Sequence, residues 1–210
     1  FISNAKRDLK TIYTANIDEI GDNIDAFFTN ALDLSLYPLM EDSLRIYLSN
    51  DIPETATEYK TIKQKAVDTL NALPYGYTTN INGIGLYTES GDNIISNSNV
   101  RMNESDYACL EGMNSSPYWD FSQCASSRGY IYLIRHLKDP VHISNYIGYI
   151  KLAVTGSELK EILQKFQKDD QISYFIVTPE NKPVSWLDAG NYTENDEILP
   201  SYTDLANQSS

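Results

Sequence analysis

Apolar residues in the first forty positions follow the period of an α-helix. From Leu9 to Leu36 they recur every three or four positions and leave one narrow apolar stripe between polar faces. Gly21 inside this stretch costs about 1 kcal/mol relative to Ala, which a packed helix tolerates. Pro38 is expected to end or kink the helix. We therefore predict an N-terminal helix of roughly 30 residues, about 45 Å long, which exceeds what a compact domain of this size requires.

The spacing of apolar residues next predicts a second helix and then changes to the alternation typical of β-strands. Pro53 suits the first turn of the second helix, with Asn50 or Asp51 as its cap. After Pro74 the predicted elements are a hairpin of strands 83–88 and 93–96, a polar helical segment at 104–112, an antiparallel pair at 130–137 and 146–154, and a helix opened by Thr155 and Glu158. This order predicts an α+β fold, with a long N-terminal helix and a central antiparallel sheet.

A similar pattern recurs once further along the chain. Thr88 and Thr178 stand at matching points of two strand-turn-strand segments, as do Ile94 and Val184, and each segment follows an amphipathic helix. We predict two modules of one type, at 1–155 and 156–210. The second lacks the long closing strands of the first, so it is either a shortened module or a tail, and two copies can also match by chance.

Charge and composition exclude several kinds of partner. The 210 residues carry 16 Lys and Arg against 29 Asp and Glu, a net charge of -13. Nucleic acid and anionic membrane surfaces both require a basic footprint, so neither is predicted as a partner. The chain begins with Phe1 and has no apolar run long enough to span a bilayer. We interpret it as a processed product or an excised fragment, with any membrane segment in the flanking sequence.

No catalytic or cofactor motif stands out. Cys109 and Cys124 are the two cysteines, which is too few for a zinc-finger site. They either form a disulfide, which could stabilise the chain by roughly 3 kcal/mol, or are two separate buried thiols. His136 and His142 belong to no metal or nucleophile motif and are interpreted as solvated or hydrogen-bonded strand residues. We predict a domain that is not an enzyme and needs no cofactor.

The order of elements resembles a known family. The hairpin around Tyr87 and Asp92, the loop with Trp119, and the strand that carries Arg135 are similar to the Cache (PAS-like) extracellular sensor domains of bacterial membrane histidine kinases and chemoreceptors, particularly the double-Cache form. The likeness covers residues 6 to about 188. It implies that the long helix rises from the membrane, that the membrane-distal module binds a small ligand, and that flanking transmembrane helices lead to a cytoplasmic output domain.

The predicted ligand site lies around this loop. A loop that feeds a sheet can lay aromatic rings against a ligand, and tyrosine combines an apolar ring with a polar tip. The candidate binding residues are Tyr118, Trp119, Asp120, Arg128, Tyr130 and Tyr132. The alternative is that Tyr118 and Trp119 fill the core beneath the loop. Amino-acid-binding members of the family carry an Arg two residues before the Trp and a Tyr after it, whereas this chain has Pro117 and Asp120.

The functional hypothesis is an extracytoplasmic small-molecule sensor of a bacterial transmembrane receptor, with a histidine kinase as the predicted parent. Its partners would be a small polar ligand and, through the N-terminal helix, a second copy of the chain. The alternative for this helix is that its apolar stripe packs on the sheet of its own chain. The first alternative is a surface-anchored binding or adhesion module without signalling. The second is a secreted hydrolase that uses unrecognised carboxylates. Arg135 is interpreted as a structural residue that forms a pair at the end of its strand.

Overall fold

The computed structural model describes residues 2–49, 55–73, 80–113, 115–121 and 129–166, with side chains from residue 11 onward. Its helices are α1 (Ile2–Met40), α2 (Asp42–Leu48), α3 (Ala56–Ala72), α4 (Glu104–Leu110) and α5 (Ser157–Phe166). Its strands are β1 (Ile81–Thr88), β2 (Asn93–Ile95), β3 (Tyr118–Asp120), β4 (Tyr130–Lys138) and β5 (Tyr146–Thr155), and a 3₁₀ turn covers Ser98–Val100. The predicted α+β fold, with a long N-terminal helix and an antiparallel sheet, is confirmed.

Helix α1 has 39 residues and is longer than predicted. Pro38 lies inside its last turn and does not end it. Proline has no backbone N–H, so one hydrogen bond of the helix is lost at this position. The helix ends two residues later, so few helical residues follow the proline and little helical structure can be disrupted. The predicted stripe is also only partly buried, because Ile17 and Leu36 are exposed while Ile20, Phe27 and Ala31 are buried.

Helix α3 begins later than predicted. Its cap is Thr55, whose hydroxyl oxygen accepts a hydrogen bond from the backbone N–H of Glu58 at 3.3 Å. A threonine in this position satisfies one of the unpaired N–H groups of the first turn. Asn50, Asp51 and Pro53, the predicted start, lie outside the described residues.

The sheet has five antiparallel strands in the order β2-β1-β5-β4-β3. The predicted β1–β2 hairpin and β4–β5 pair are both present. The sequence did not predict β3, which was interpreted as a loop, or the pairing of β1 with β5 at the centre of the sheet. Gly148 is essential to that pairing. A Cβ at this position would lie 2.2 Å from the carbonyl oxygen of Tyr87, and its φ of +149° disfavours other residues.

The chain divides into two compact units. The larger holds residues 25–123 and 130–155 and contains the whole sheet. The smaller includes the start of α1 and helix α5, whose buried residues are Leu159, Leu163 and Phe166. The second strand-turn-strand segment, with Thr178 and Val184, lies outside the described residues, so the two-module organisation with a boundary after residue 155 stays a prediction.

Candidate functional site

Four of the six predicted binding residues lie on one face of the sheet. Asp120 stands opposite Tyr132 in the β3–β4 register, and Tyr118 stands opposite Ile134. Tyr118 and Tyr130 are half-buried and pack against the buried cluster that contains Tyr132. The ring centroids of Tyr130 and Tyr132 are 6.3 Å apart. We call this surface, defined by Tyr118, Asp120, Tyr130, Tyr132 and Lys151, the tyrosine face.

Trp119 lies on the opposite face of the sheet. Its indole contacts the ring of Phe28 in α1 edge to face, with centroids 4.8 Å apart and planes at 83°. Neighbouring residues of a strand point to opposite sides, so a three-residue strand cannot present Tyr118, Trp119 and Asp120 together. The structure thus separates Trp119 from the other described members of the predicted site. Arg128, the remaining member, lies outside the described residues.

The position of Trp119 leads to a stability prediction. Replacing Trp119 with alanine should lower the free energy of unfolding by about 1–2 kcal/mol, because a half-buried ring and an aromatic pair are lost. Trp119→Phe should lose less than half of that. Urea unfolding followed by circular dichroism measures both variants. If Trp119→Ala kept its stability but lost ligand-induced stabilisation, Trp119 would be a ligand-binding residue after all.

A buried ion pair occupies the centre of the tyrosine face. The Nζ of Lys151 lies 2.7 Å from Oδ2 of Asp106, and each side chain is only 5% exposed. The same ammonium donates to the carbonyl oxygen of Arg101 at 3.2 Å and lies 4.6 Å from the ring centroid of Tyr132. Lysine is rarely buried without such partners. The pair fixes α4, which carries Asp106, to the central strand β5.

Asp106 also defines the start of α4. Its carboxylate accepts a hydrogen bond from the backbone N–H of Asn103 at 2.8 Å, and the Asn103 side chain accepts one from the backbone N–H of Asp106 at 3.1 Å. This reciprocal arrangement is a capping box. Neither Asp106 nor Lys151 was among the residues of the predicted site. The alternation of side chains along β5 could have pointed to Lys151, because it places this residue on the same face as Tyr149 and Ala153.

An aromatic stack lies at the other end of β4 and β5. The imidazole of His136 is stacked between Tyr146 at 3.7 Å and Tyr149 at 4.2 Å, centroid to centroid. Its Nε2 lies 2.7 Å from Oε1 of Glu89, so the interpretation of His136 as a hydrogen-bonded strand residue is confirmed. Tyr107 of α4 meets Tyr149 edge to face at 5.2 Å. Burial is the main cause that raises the pKa of both Tyr107 and Tyr149, followed by the charge of Asp106 for Tyr107 and that of Glu89 for Tyr149.

A second polar cluster surrounds Asp92 in the β1–β2 turn. The carboxylate receives hydrogen bonds from the Lys63 ammonium at 2.6 and 2.8 Å, from the Tyr47 hydroxyl at 3.2 Å, and from the Tyr59 hydroxyl. Burial raises the pKa of Asp92, but the hydrogen bonds from Lys63 and Tyr59 outweigh it, and the pKa lies below its ordinary value. Burial and the bond to Asp92 raise the pKa of Tyr59 to about 12. The cluster joins α2 and α3 to the sheet.

Arg135 links β4 to α1. Its Nη1 donates to the hydroxyl of Ser35 at 2.7 Å, and that hydroxyl donates to the carbonyl of Leu32 at 2.6 Å. Burial lowers the pKa of the guanidinium. Its Nε is buried and has no hydrogen-bond partner within the described ranges. These contacts agree with a structural role for Arg135.

The remaining predictions concern the cysteines, metal binding and membrane-spanning helices. Cys109 is half-buried on α4, whereas Cys124 lies outside the described residues, so their disulfide stays a prediction. Within the described ranges, no three His, Cys, Asp or Glu side chains come together in a way that could hold a metal ion. An open depression of about 350 Å³ lies along α3, lined by Thr57, Glu58, Thr61 and Ile62, none of which belongs to the tyrosine face. None of the described helices is long and apolar enough to cross a membrane.

The fold is similar to that of a solved receptor domain. The ligand-binding domain of the amino acid chemoreceptor PctC from Pseudomonas aeruginosa PAO1, in complex with GABA, has a TM-score of 0.54 and 14% identity. The match covers 82% of this chain and 73% of that one. The predicted likeness to the fold of Cache, PAS-like sensor domains is confirmed. At this identity the likeness concerns the fold alone.

A second similar structure gives a weaker match. The ligand-binding domain of the Pseudomonas fluorescens chemoreceptor CtaA, in complex with L-isoleucine, has a TM-score of 0.49 and 16% identity over 93% of this chain and 73% of that one. No protein-family model matches the sequence, and no curated protein matches it.

Proposed function

We propose that this chain is the ligand-sensing domain of a bacterial transmembrane signalling receptor and binds a small polar molecule on the tyrosine face. The observation that carries the proposal is the convergence of Tyr118, Asp120, Tyr130 and Tyr132 on one face of a sensor-type fold. Tyrosine rings offer an apolar surface with hydroxyl tips, and the carboxylate of Asp120 adds an acceptor. The domain itself would carry out no chemistry.

The parent would hold the domain on the extracytoplasmic side of the cell membrane through flanking segments. A sensor histidine kinase or a chemoreceptor serves equally well as the parent, because the fold of a sensing domain does not depend on the type of output domain to which it is joined.

We also propose that the parent forms a homodimer through α1. Large apolar side chains exposed on this helix support pairing, namely Ile12, Ile17, Leu36 and Met40.

Ligand-induced stabilisation tests the proposed site. A thermal-shift screen of sugars, organic acids, amines and peptides should yield at least one compound that raises the melting temperature of the chain. Tyr130→Ala should reduce that shift by more than half, because the ring lies in the proposed site. Tyr146→Ala is the matched control, since Tyr146 is also half-buried but lies at the opposite end of the β4–β5 pair.

Two results would contradict the proposal. One is a screen in which no compound stabilises the wild-type chain. The other is a ligand whose shift is equal in wild type and Tyr130→Ala but smaller in Tyr146→Ala, which would place the site at the His136 stack.

A further inference from the structure

We propose that Arg135 binds a small carboxylate between the sheet and helix α1. The site lies on the face of the sheet opposite the tyrosine face, because Arg135 follows Ile134, which belongs to the buried cluster of that face. The proposal is independent of the function proposed above. It follows from the charge of the guanidinium, from the edge of it that is unbonded, and from the residues beside it.

Arg135 is a half-buried cation without a counter-charge. Within the described part of the chain, no carboxylate forms an ion pair with its guanidinium. Burial alone lowers the pKa of this group, so no neighbouring charge supports the cation. A polar neighbour can accept a hydrogen bond from a buried guanidinium, but only an anion can neutralise it. The position therefore favours an anionic ligand.

One edge of the guanidinium has the geometry for a carboxylate. Nη1 donates to the hydroxyl of Ser35 at 2.7 Å, whereas Nε is buried and has no hydrogen-bond partner among the described residues. Nε and Nη2 form the side of an arginine that holds both oxygens of a carboxylate through two parallel hydrogen bonds. A carboxylate bound at this edge would leave the bond to Ser35 in place.

The neighbours of Arg135 on this face are apolar. Leu133 and Leu137 lie two positions before and after it on β4, and Ile150 stands opposite it on β5. All three are at most 1% exposed. Apolar surroundings strengthen an ion pair with the guanidinium. They also favour a singly charged ligand with a small apolar group over a doubly charged phosphate, which costs more to remove from water.

The site lies where β4 meets the long helix. Ser35 and Arg135 both belong to the larger unit, so their contact joins α1 to the sheet within one body. A bound carboxylate would neutralise the guanidinium and thereby stabilise this contact. It would act on the long helix separately from any molecule bound on the tyrosine face.

Acetate and acetamide test the role of charge, because the two molecules have nearly the same shape. Thermal shift on the complete chain would compare both with sodium chloride and sodium phosphate at pH 7 and constant ionic strength. We expect acetate to raise the melting temperature with half-saturation in the millimolar range. Acetamide, chloride and phosphate should each give less than half of that shift.

Two variants assign the acetate effect to Arg135. Arg135→Lys keeps the positive charge but lacks the two parallel N–H donors, so the acetate shift should fall to less than half. Lys65→Met removes a cation from an exposed position on α3 and is the matched control, in which the acetate shift should be unchanged. If Arg135→Lys lacks the circular dichroism spectrum of the folded chain, Arg135→Met takes its place.

Arginine-selective NMR gives a readout that does not depend on stability. The Nε–H signal that is missing from the spectrum of the Arg135 variant should move when acetate is added to the wild-type chain. Acetamide should leave this signal in place, because it carries no charge to neutralise the guanidinium. An unchanged Nε–H signal at saturating acetate would contradict the site.

Each contrary result overturns the inference for a stated reason. Equal shifts by acetate and acetamide would show that charge is irrelevant, and a larger shift by chloride or phosphate would show that the site does not select a carboxylate. An equal acetate shift in wild type and Arg135→Lys would place acetate elsewhere. If that shift were instead lost in Tyr130→Ala, acetate would bind the tyrosine face, and the proposed function would gain support. Absence of any acetate effect overturns the inference but not the proposed function, whose screen includes other compounds.

Discussion

Replacing Lys151 with methionine should lower the free energy of unfolding by about 3–5 kcal/mol, because the carboxylate of Asp106 would remain buried without its partner. The side chains of this pair are only 5% exposed, and the ammonium also interacts with Arg101 and Tyr132. Methionine has nearly the volume of lysine, so the change removes the charge with little loss of packing. The loss would be measured by urea unfolding followed by circular dichroism.

A double variant and a control show whether the buried charge is the cause. Lys151→Met combined with Asp106→Leu should recover most of the lost stability, since an apolar pair of similar volume replaces the ion pair. About 1 kcal/mol should remain lost, because Asp106 also caps α4 through Asn103. Lys65→Met, at an exposed position on α3, should change stability by less than about 0.5 kcal/mol. A loss below 1 kcal/mol in Lys151→Met would show that the pair is not buried in solution.

Replacing Asp92 with alanine should lower the free energy of unfolding by about 2–3 kcal/mol at pH 7. The carboxylate receives charge-assisted and neutral hydrogen bonds from Lys63, Tyr47 and Tyr59, and all of them would be lost together. Because these groups lie on α2, α3 and the β1–β2 turn, the substitution should loosen both helices from the sheet. Asp68→Ala, at an exposed position on α3, is the control and should have little effect.

The contribution of Asp92 to the free energy of unfolding should decrease at low pH. Its pKa is lowered in the folded chain, so its stabilisation is fully present above the ordinary pKa of an aspartate, about 3.9, and is lost as the pH falls through the lowered folded-state value. Urea unfolding at pH 7, 5 and 3 should show a constant difference between wild type and Asp92→Ala at the two higher values and a smaller one at pH 3. An equal difference at all three would contradict the role of the charge.

The elements that the sequence predicted are those with a local signal. The period of α1, the β1–β2 hairpin and the β4–β5 pair are all carried by residues close in sequence. Strand β3 has only three residues and follows Ser116 and Pro117, so it showed neither alternation nor an apolar run. Without a strand at this point, Trp119 and Tyr118 were assigned to the same predicted site.

The polar clusters could not be predicted, because they join distant segments. Lys151 and Asp106 are 45 positions apart, and Asp92 lies 29 positions from Lys63. Such pairs depend on which face of the sheet each helix covers, and periodicity does not specify that. In contrast, alternation along β4 is enough to place Tyr130 and Tyr132 on one face, where the structure has them.

The alternation of β4 has a mechanical consequence. Tyr132 and Ile134 belong to the cluster of the tyrosine face, while Arg135, the next residue, holds Ser35 of α1 on the other side of the sheet. A single strand backbone therefore carries both sets of contacts, and the Arg135–Ser35 bond closes a gap of 100 positions in sequence. If a bound molecule displaced β4 by a fraction of an ångström, the Arg135–Ser35 hydrogen bond would pass that movement to the long helix.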